Sequence, residues 1–141
     1  MSGHTVRKAA ATLTAAFTLA SAGVLGSSTP ASAATCYGGA ISRTFDMGQD
    51  EAEHRFGPYT TTSRCNDINL KITSWGNANP LFVRVCFHPS SGGTTCNSWK
   101  TFYKSSDLNK WRVIATDVRD GTRYSLSMDY ASNTFRGYLA H

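Results

Sequence analysis

From residue 67 onward the chain alternates between apolar and polar positions. Ile68, Leu70 and Ile72 interleave with Asn69, Lys71 and Thr73. Leu81, Val83, Val85 and Phe87 share a face opposite Phe82, Arg84 and Cys86. Trp99, Thr101 and Tyr103 alternate with Lys100 and Phe102, and Phe135, Gly137 and Leu139 with Thr134, Arg136 and Tyr138. Such alternation marks strands, because successive side chains leave opposite sides of the pleat. Two more runs lie between Trp111 and Tyr130. In the first, Trp111, Val113 and Ala115 are assigned to the core, with Arg112, Ile114 and Thr116 facing away. In the second, Tyr124, Leu126, Met128 and Tyr130 are assigned to the core, and Arg123, Ser125, Ser127 and Asp129 to water. Asp120-Gly121 lies between these runs. A type I′ turn needs positive φ, which Gly adopts freely, so the pair is predicted as a β-hairpin.

Turn-formers separate the runs at Gly76–Pro80, Gly92-Gly93 and Ala131-Ser132-Asn133, and no segment has the helical period. Short strands spaced this way predict an all-β fold, an antiparallel β-sandwich or small barrel, mostly a meander. The pattern before residue 65 is weaker. Residues 38–45 supply one further strand with Ile41 and Phe45 partly buried, Asp50–His54 one helical turn, and Gly57-Pro58 a break.

Residues 1–33 read as a secretory signal peptide. Arg7 and Lys8 form a basic start, Ala9–Leu25 a small-and-apolar run, and Ala31-Ser32-Ala33 a cleavage pattern after Pro30. The apolar run falls short of the ~20 residues that span a bilayer. Residues 34–141 then form a single disulfide-stapled β domain in a secreted, extracellular protein. The leader removes two basic residues from a chain with 14 Lys and Arg and 9 Asp and Glu, so 12 basic against 9 acidic residues leave +3. That charge is too mild to argue for nucleic acid. Asp46, Asp50, Glu51 and Glu53 are crowded together, whereas the basic residues are spread over the rest.

All four cysteines follow the leader. An even number in a small exported domain predicts two disulfides. Three pairings are possible, and Cys86–Cys96 with Cys36–Cys65 is favoured, since Cys86 ends one strand and Cys96 opens the next. The spacing lacks the Cys-x-x-Cys of zinc sites, so no metal and no cofactor are expected.

Candidate chemistry is sparse. His54 beside Glu51 and Glu53, with Arg43, Arg55 and Arg64 nearby in sequence, has the residue types for acid–base cleavage of a phosphodiester. A solvated acidic turn explains the same residues. His88 beside Pro89 reads as a turn residue. Three Trp, six Tyr and seven Phe are a high aromatic load, and exposed members could stack on sugars or anchor a partner. Trp75 and Trp99 are the open cases. These features favour binding over catalysis. An adaptor between exported proteins comes first. A protease inhibitor presenting Ser42-Arg43 or the loop Pro89–Thr95 is second, and a small nuclease or a carbohydrate-binding protein follows.

The Ala-rich leader, the four cysteines, RVCF at Arg84–Phe87 and WRVIATDVRDGTRY at Trp111–Tyr124 together resemble small exported β proteins of Streptomyces. One such group is the small adaptor subunit of umbrella toxin particles. That resemblance implies a non-enzymatic role: linking a large repeat-containing toxin polypeptide to a lectin-like subunit in an exported antibacterial complex. It transfers no functional residue. From the residues themselves, Ile41, Arg43, Phe45, Asp50, Glu51 and Glu53 are the expected partner-binding segment. A more basic sheet carrying Lys100, Arg112, Arg119 and Arg123 is the second candidate surface.

Overall fold

A computed structural model describes residues 31–48, 53–129 and 134–141. Helix α1 (Ala31–Gly38) leads into β1 (Ile41–Asp46), β2 (His54–Thr60), β3 (Ile68–Ser74), β4 (Leu81–Phe87), β5 (Thr95–Cys96) and β6 (Lys100–Phe102). The short helix α2 (Lys104–Asp107) precedes β7 (Trp111–Ala115), β8 (Arg123–Asp129) and β9 (Thr134–Ala140). The strands form two antiparallel sheets. Sheet I has the order β1-β9-β3-β7, and sheet II the order β2-β8-β4-β5, with β6 also paired to β4.

The sheets meet through one apolar face each, as a sandwich. Phe45, Ile68, Leu70, Ile72, Ile114, Phe135 and Leu139 come from sheet I, and Leu81, Val83, Val85, Phe102, Tyr124, Leu126 and Met128 from sheet II. The alternation read in β3, β4, β8 and β9 therefore places the expected residues in the core. Both disulfides, Cys36–Cys65 and Cys86–Cys96, pair as expected, which points to an oxidising, non-cytoplasmic setting. Among the described residues no helix is long and apolar enough to cross a membrane.

The connectivity is not a meander. Apart from β4 with β5 and β6, strands that follow one another in sequence lie in opposite sheets. The expected hairpin fails for the same reason. β7 pairs with β3 in sheet I, while β8 lies between β2 and β4 in sheet II. A two-residue turn needs strands that end at it. Here residues 116–122 form an arch long enough to pass between sheets ~10 Å apart. The arch is pinned by Val118 N–H to the Asn66 carbonyl (2.8 Å) and Gly121 N–H to the Thr61 carbonyl (3.0 Å). Gly121 alone of the Asp120-Gly121 pair has positive φ, 74°, so the turn is not type I′.

The face assigned to β7 is also reversed. Ile114 is fully buried, Val113 is 42% exposed, and Trp111 lies on the outer side of sheet I. A register irregularity against β3 between Ile68 and Asn69 leaves both Ile114 and Ala115 buried. Residues 54–60 form strand β2 rather than ending at Gly57-Pro58. The break becomes a bulge between Phe56 and Tyr59, on an edge strand, where proline is tolerated. Of the helical turn expected over Asp50–His54, residues 50–52 lie outside the described residues, Glu53 is not helical and His54 opens β2; the turn at Ala131–Asn133 also lies outside the described residues.

Candidate functional site

The expected N-terminal binding segment is divided by the sandwich. Phe45 is wholly buried in the core, so it cannot meet a partner. Ile41 stays 40% exposed at the start of β1. Arg43 is half-buried, its guanidinium 5.2 Å from the centre of the Tyr59 ring. Asp50 and Glu51 lie outside the described residues. Glu53 lies on the outer side of sheet II, where its carboxylate accepts from Arg84 at 2.7 Å and approaches Arg55 at 3.7 Å. The Arg84 hydrogen bond, supported by the Ser127 hydroxyl, holds the Glu53 carboxyl below its usual range. Glu53 is thus committed to an ion pair. Arg43, Arg55 and Arg64 do not converge: Arg64 packs over Gly39, donating to its carbonyl at 3.4 Å.

The basic sheet is likewise not one surface. Arg112 turns over the Phe102 ring and donates to Asp107 at 2.6 Å. Lys100 is exposed on β6, while Arg119 and Arg123 flank a groove beside His88. Ser42-Arg43 belongs to β1, paired with Tyr138 and Gly137, rather than to an inhibitory loop. Pro89–Thr95 is exposed throughout and closed at its base by Cys86–Cys96.

The aromatic residues separate more clearly. Trp75 is core, edge-on to Phe135, with its indole N–H donating to the Ala78 carbonyl at 2.6 Å. On the outer face of sheet I, pairing register sets Tyr138 beside Lys71 and Lys71 beside Trp111. The Lys71 ammonium lies 4.8 Å from the Trp111 ring and 5.0 Å from Tyr138. Tyr37 of α1 stacks on Trp111, with ring centres 4.6 Å apart and an interplanar angle of 18°. Val113 extends this surface. On the outer face of sheet II, Trp99 is exposed and carries the Arg84 guanidinium 4.3 Å from its ring centre. Phe82, Thr101 and Asp129 line a shallow hollow with Trp99.

Sequence reasoning missed three polar positions on these outer faces. Ser125 and Ser127, assigned to water by their alternation, and Asn69, interleaved with the apolar positions of β3, are buried. Asn69 lies under α1, within reach of the Tyr37 hydroxyl at 3.5 Å. Ser125 meets His88 Nε2 at 2.9 Å, and Ser127 lies 3.4 Å from Cys86 Sγ. Alternation reveals which side a residue takes, not whether long neighbours cover it. Among the described residues no three His, Cys, Asp or Glu side chains come together as a metal site.

Comparison with protein-family models, curated proteins and solved structures found no match for this chain.

Proposed function

We propose that this protein is a secreted, non-catalytic adaptor that binds one protein partner on each outer face of its sandwich. The carrying observation is that organised, exposed aromatic surfaces occur on both sheets. Tyr37, Trp111, Lys71, Tyr138 and Val113 lie on one side, and Trp99, Arg84 and Phe82 on the other. Tyr, Trp and Arg are enriched at the centres of interfaces, where they supply large contact area and a polar handle. An adaptor needs two such surfaces on a small body, and opposite faces let it hold two partners at once. The finer reading, that the partners are a large toxin polypeptide and a lectin-like subunit, rests on the resemblance described above.

A tagged pull-down from the producer's culture supernatant tests this. Two different proteins are expected to co-purify in fixed ratio. Tyr138→Glu should lose one and Trp99→Ala the other, with each variant retaining its circular dichroism. Loss of the same partner by both variants, or retention of both partners by each, would count against the two-face reading.

The Pro89–Thr95 loop supports protease inhibition as the second reading, because it is exposed and clasped by a disulfide. It contains no basic residue, so it has no anchor for a trypsin-like pocket. Recovery of one protease, inhibited at an equimolar ratio and freed by changes in this loop, would favour that reading.

A further inference from the structure

Beside the Trp99 surface, sheet II has a groove that the adaptor reading does not use. Two hollows adjoin there. The first, of about 450 Å³, is lined by Arg55, Gly57, Pro58, His88, Arg123 and Ser125. The second, of about 830 Å³, shares His88 and Arg123 and adds Arg119, Thr95 and Thr122. Neither lining contains a carboxylate. Glu53 reaches Arg55 at 3.7 Å but is held more closely by Arg84 at 2.7 Å. Arg55 therefore keeps most of its donor capacity.

The groove is built rather than incidental. At the β2 bulge, Gly57 has φ of 125°, and a Cβ there would stand 3.3 Å from the Ser125 Cα and from the Tyr124 carbonyl oxygen. Glycine lets the β2 backbone close on β8 and form the wall. His88 is fixed on both ring nitrogens, with Nε2 2.9 Å from Ser125 Oγ and Nδ1 3.2 Å from Thr94 Oγ1. Its backbone N–H donates to the Arg123 carbonyl at 2.9 Å.

We infer that this groove is an oxyanion site for phosphoryl groups. Arg55 comes from β2 and Arg123 from β8, while His88 and Ser125 line the space between them. Two guanidiniums, with the Ser125 hydroxyl held between them by His88, offer more donors than the two oxygens of a planar carboxylate can use. They suit a phosphoryl group with several charged oxygens. The second hollow, lined in part by Arg119, offers a place for a second phosphate if the ligand is a diester-linked chain.

The test is titration of the disulfide-intact, isotope-labelled protein with inorganic phosphate at constant ionic strength, followed by amide shifts. Saturable changes confined to residues 55–58, 88 and 119–125 are expected, with a Kd on the order of 1 mM. The Arg55→Gln/Arg123→Gln double variant should weaken binding at least about tenfold, whereas Lys100→Gln should not. Hexauridylate then identifies the source. If the phosphoryl group belongs to a diester chain, it binds more tightly than phosphate and loses affinity in Arg119→Gln. If free phosphate is the ligand, the two probes bind alike and Arg119→Gln has no effect. Absence of saturable shifts with either probe, or acetate binding as tightly as phosphate, would overturn the site.

Discussion

Replacing Asp107 with Ala tests how the crossover from sheet II to sheet I is held. Asp107 closes α2, between β6 and β7, and its side chain is only 7% exposed. It accepts from Tyr103 N–H at 2.7 Å, Ser106 Oγ at 3.1 Å and Arg112 at 2.6 Å. Alanine leaves one backbone donor, one hydroxyl and one guanidinium without their acceptor. Removing one member of a buried ion pair costs about 3–5 kcal/mol. The Arg112 side chain is 39% exposed and can turn to water, so the lower end, about 3 kcal/mol, applies. At ~4–8 °C per kcal/mol, the midpoint of thermal unfolding should fall by roughly 12–24 °C. The pH dependence supplies a second check. Burial pushes the Asp107 carboxyl up, but the Tyr103 N–H and Arg112 outweigh it and leave it below the ordinary 3.8. A carboxyl lowered in the folded state stabilises above its unfolded value and loses that contribution as pH falls through the folded one. The gap between wild type and Asp107→Ala should therefore be full near neutrality and close in strong acid. Urea unfolding followed by Trp fluorescence measures both. A loss below about 1 kcal/mol at pH 7 would refute the assignment of Asp107 as the crossover's anchor.

Gly137 pairs with Ile72 in the middle of sheet I, and a Cβ there would fall 2.2 Å from the Lys71 carbonyl oxygen. Gly137→Ala should cost at least about 1–3 kcal/mol by overpacking, seen as a lower urea midpoint; a wild-type midpoint would show that β9 can shift. Burial lowers the His141 imidazole below 6.5, so the unfolded chain holds a proton there that the folded one lacks. Stability should fall as pH drops through 6.5 toward the folded value, and His141→Gln should flatten that part of the urea-midpoint profile. The Cys86–Cys96 bridge spans 10 residues of sequence and Cys36–Cys65 spans 29. Chain entropy predicts losses of about 2.7 and 3.6 kcal/mol for the paired Ser variants, and calorimetry should rank them in that order.

The legible part of the fold is the part written in alternation within single strands. Ile68, Leu70 and Ile72, or Tyr124, Leu126 and Met128, have one burial choice once the strand exists, because a one-residue slip would expose the whole set. Disulfide pairing was legible because Cys86 and Cys96 flank a turn. Sheet membership was not, because it depends on where each connection crosses. Asp120-Gly121 makes a turn either way, and the pinning by Thr61 and Asn66 is remote in sequence. Trp111 was misassigned because a large aromatic suits either the core or an outer surface covered by Tyr37. The candidate surfaces were less legible still. Trp99 beside Arg84, and His88 beside Ser125, are juxtapositions made by sheet pairing rather than by spacing along the chain.

Each disulfide lies beside one of the two aromatic surfaces proposed to bind partners. Cys36–Cys65 stands apart from the main core, in a small cluster with Ala140 and against Ala40 and Trp111. It anchors α1, and thereby the Tyr37 ring on Trp111. Cys86–Cys96 fixes the start of the segment that carries Trp99. Asn97 continues that restraint, accepting from Val85 N–H at 2.9 Å and donating to the Ile114 carbonyl at 2.7 Å. An aromatic side chain held in place before binding loses less freedom on contact, a saving of about 0.5–1.5 kcal/mol for each immobilised group. Under the proposed function the two staples would therefore act on the outer faces as well as on the unfolded chain. If the proposed two-face binding holds, breaking Cys36–Cys65 should weaken the proposed partner on sheet I beyond what its stability loss explains, and leave the one on sheet II. Breaking Cys86–Cys96 should do the reverse. A molecule that used its disulfides for stability alone would lose both partners together.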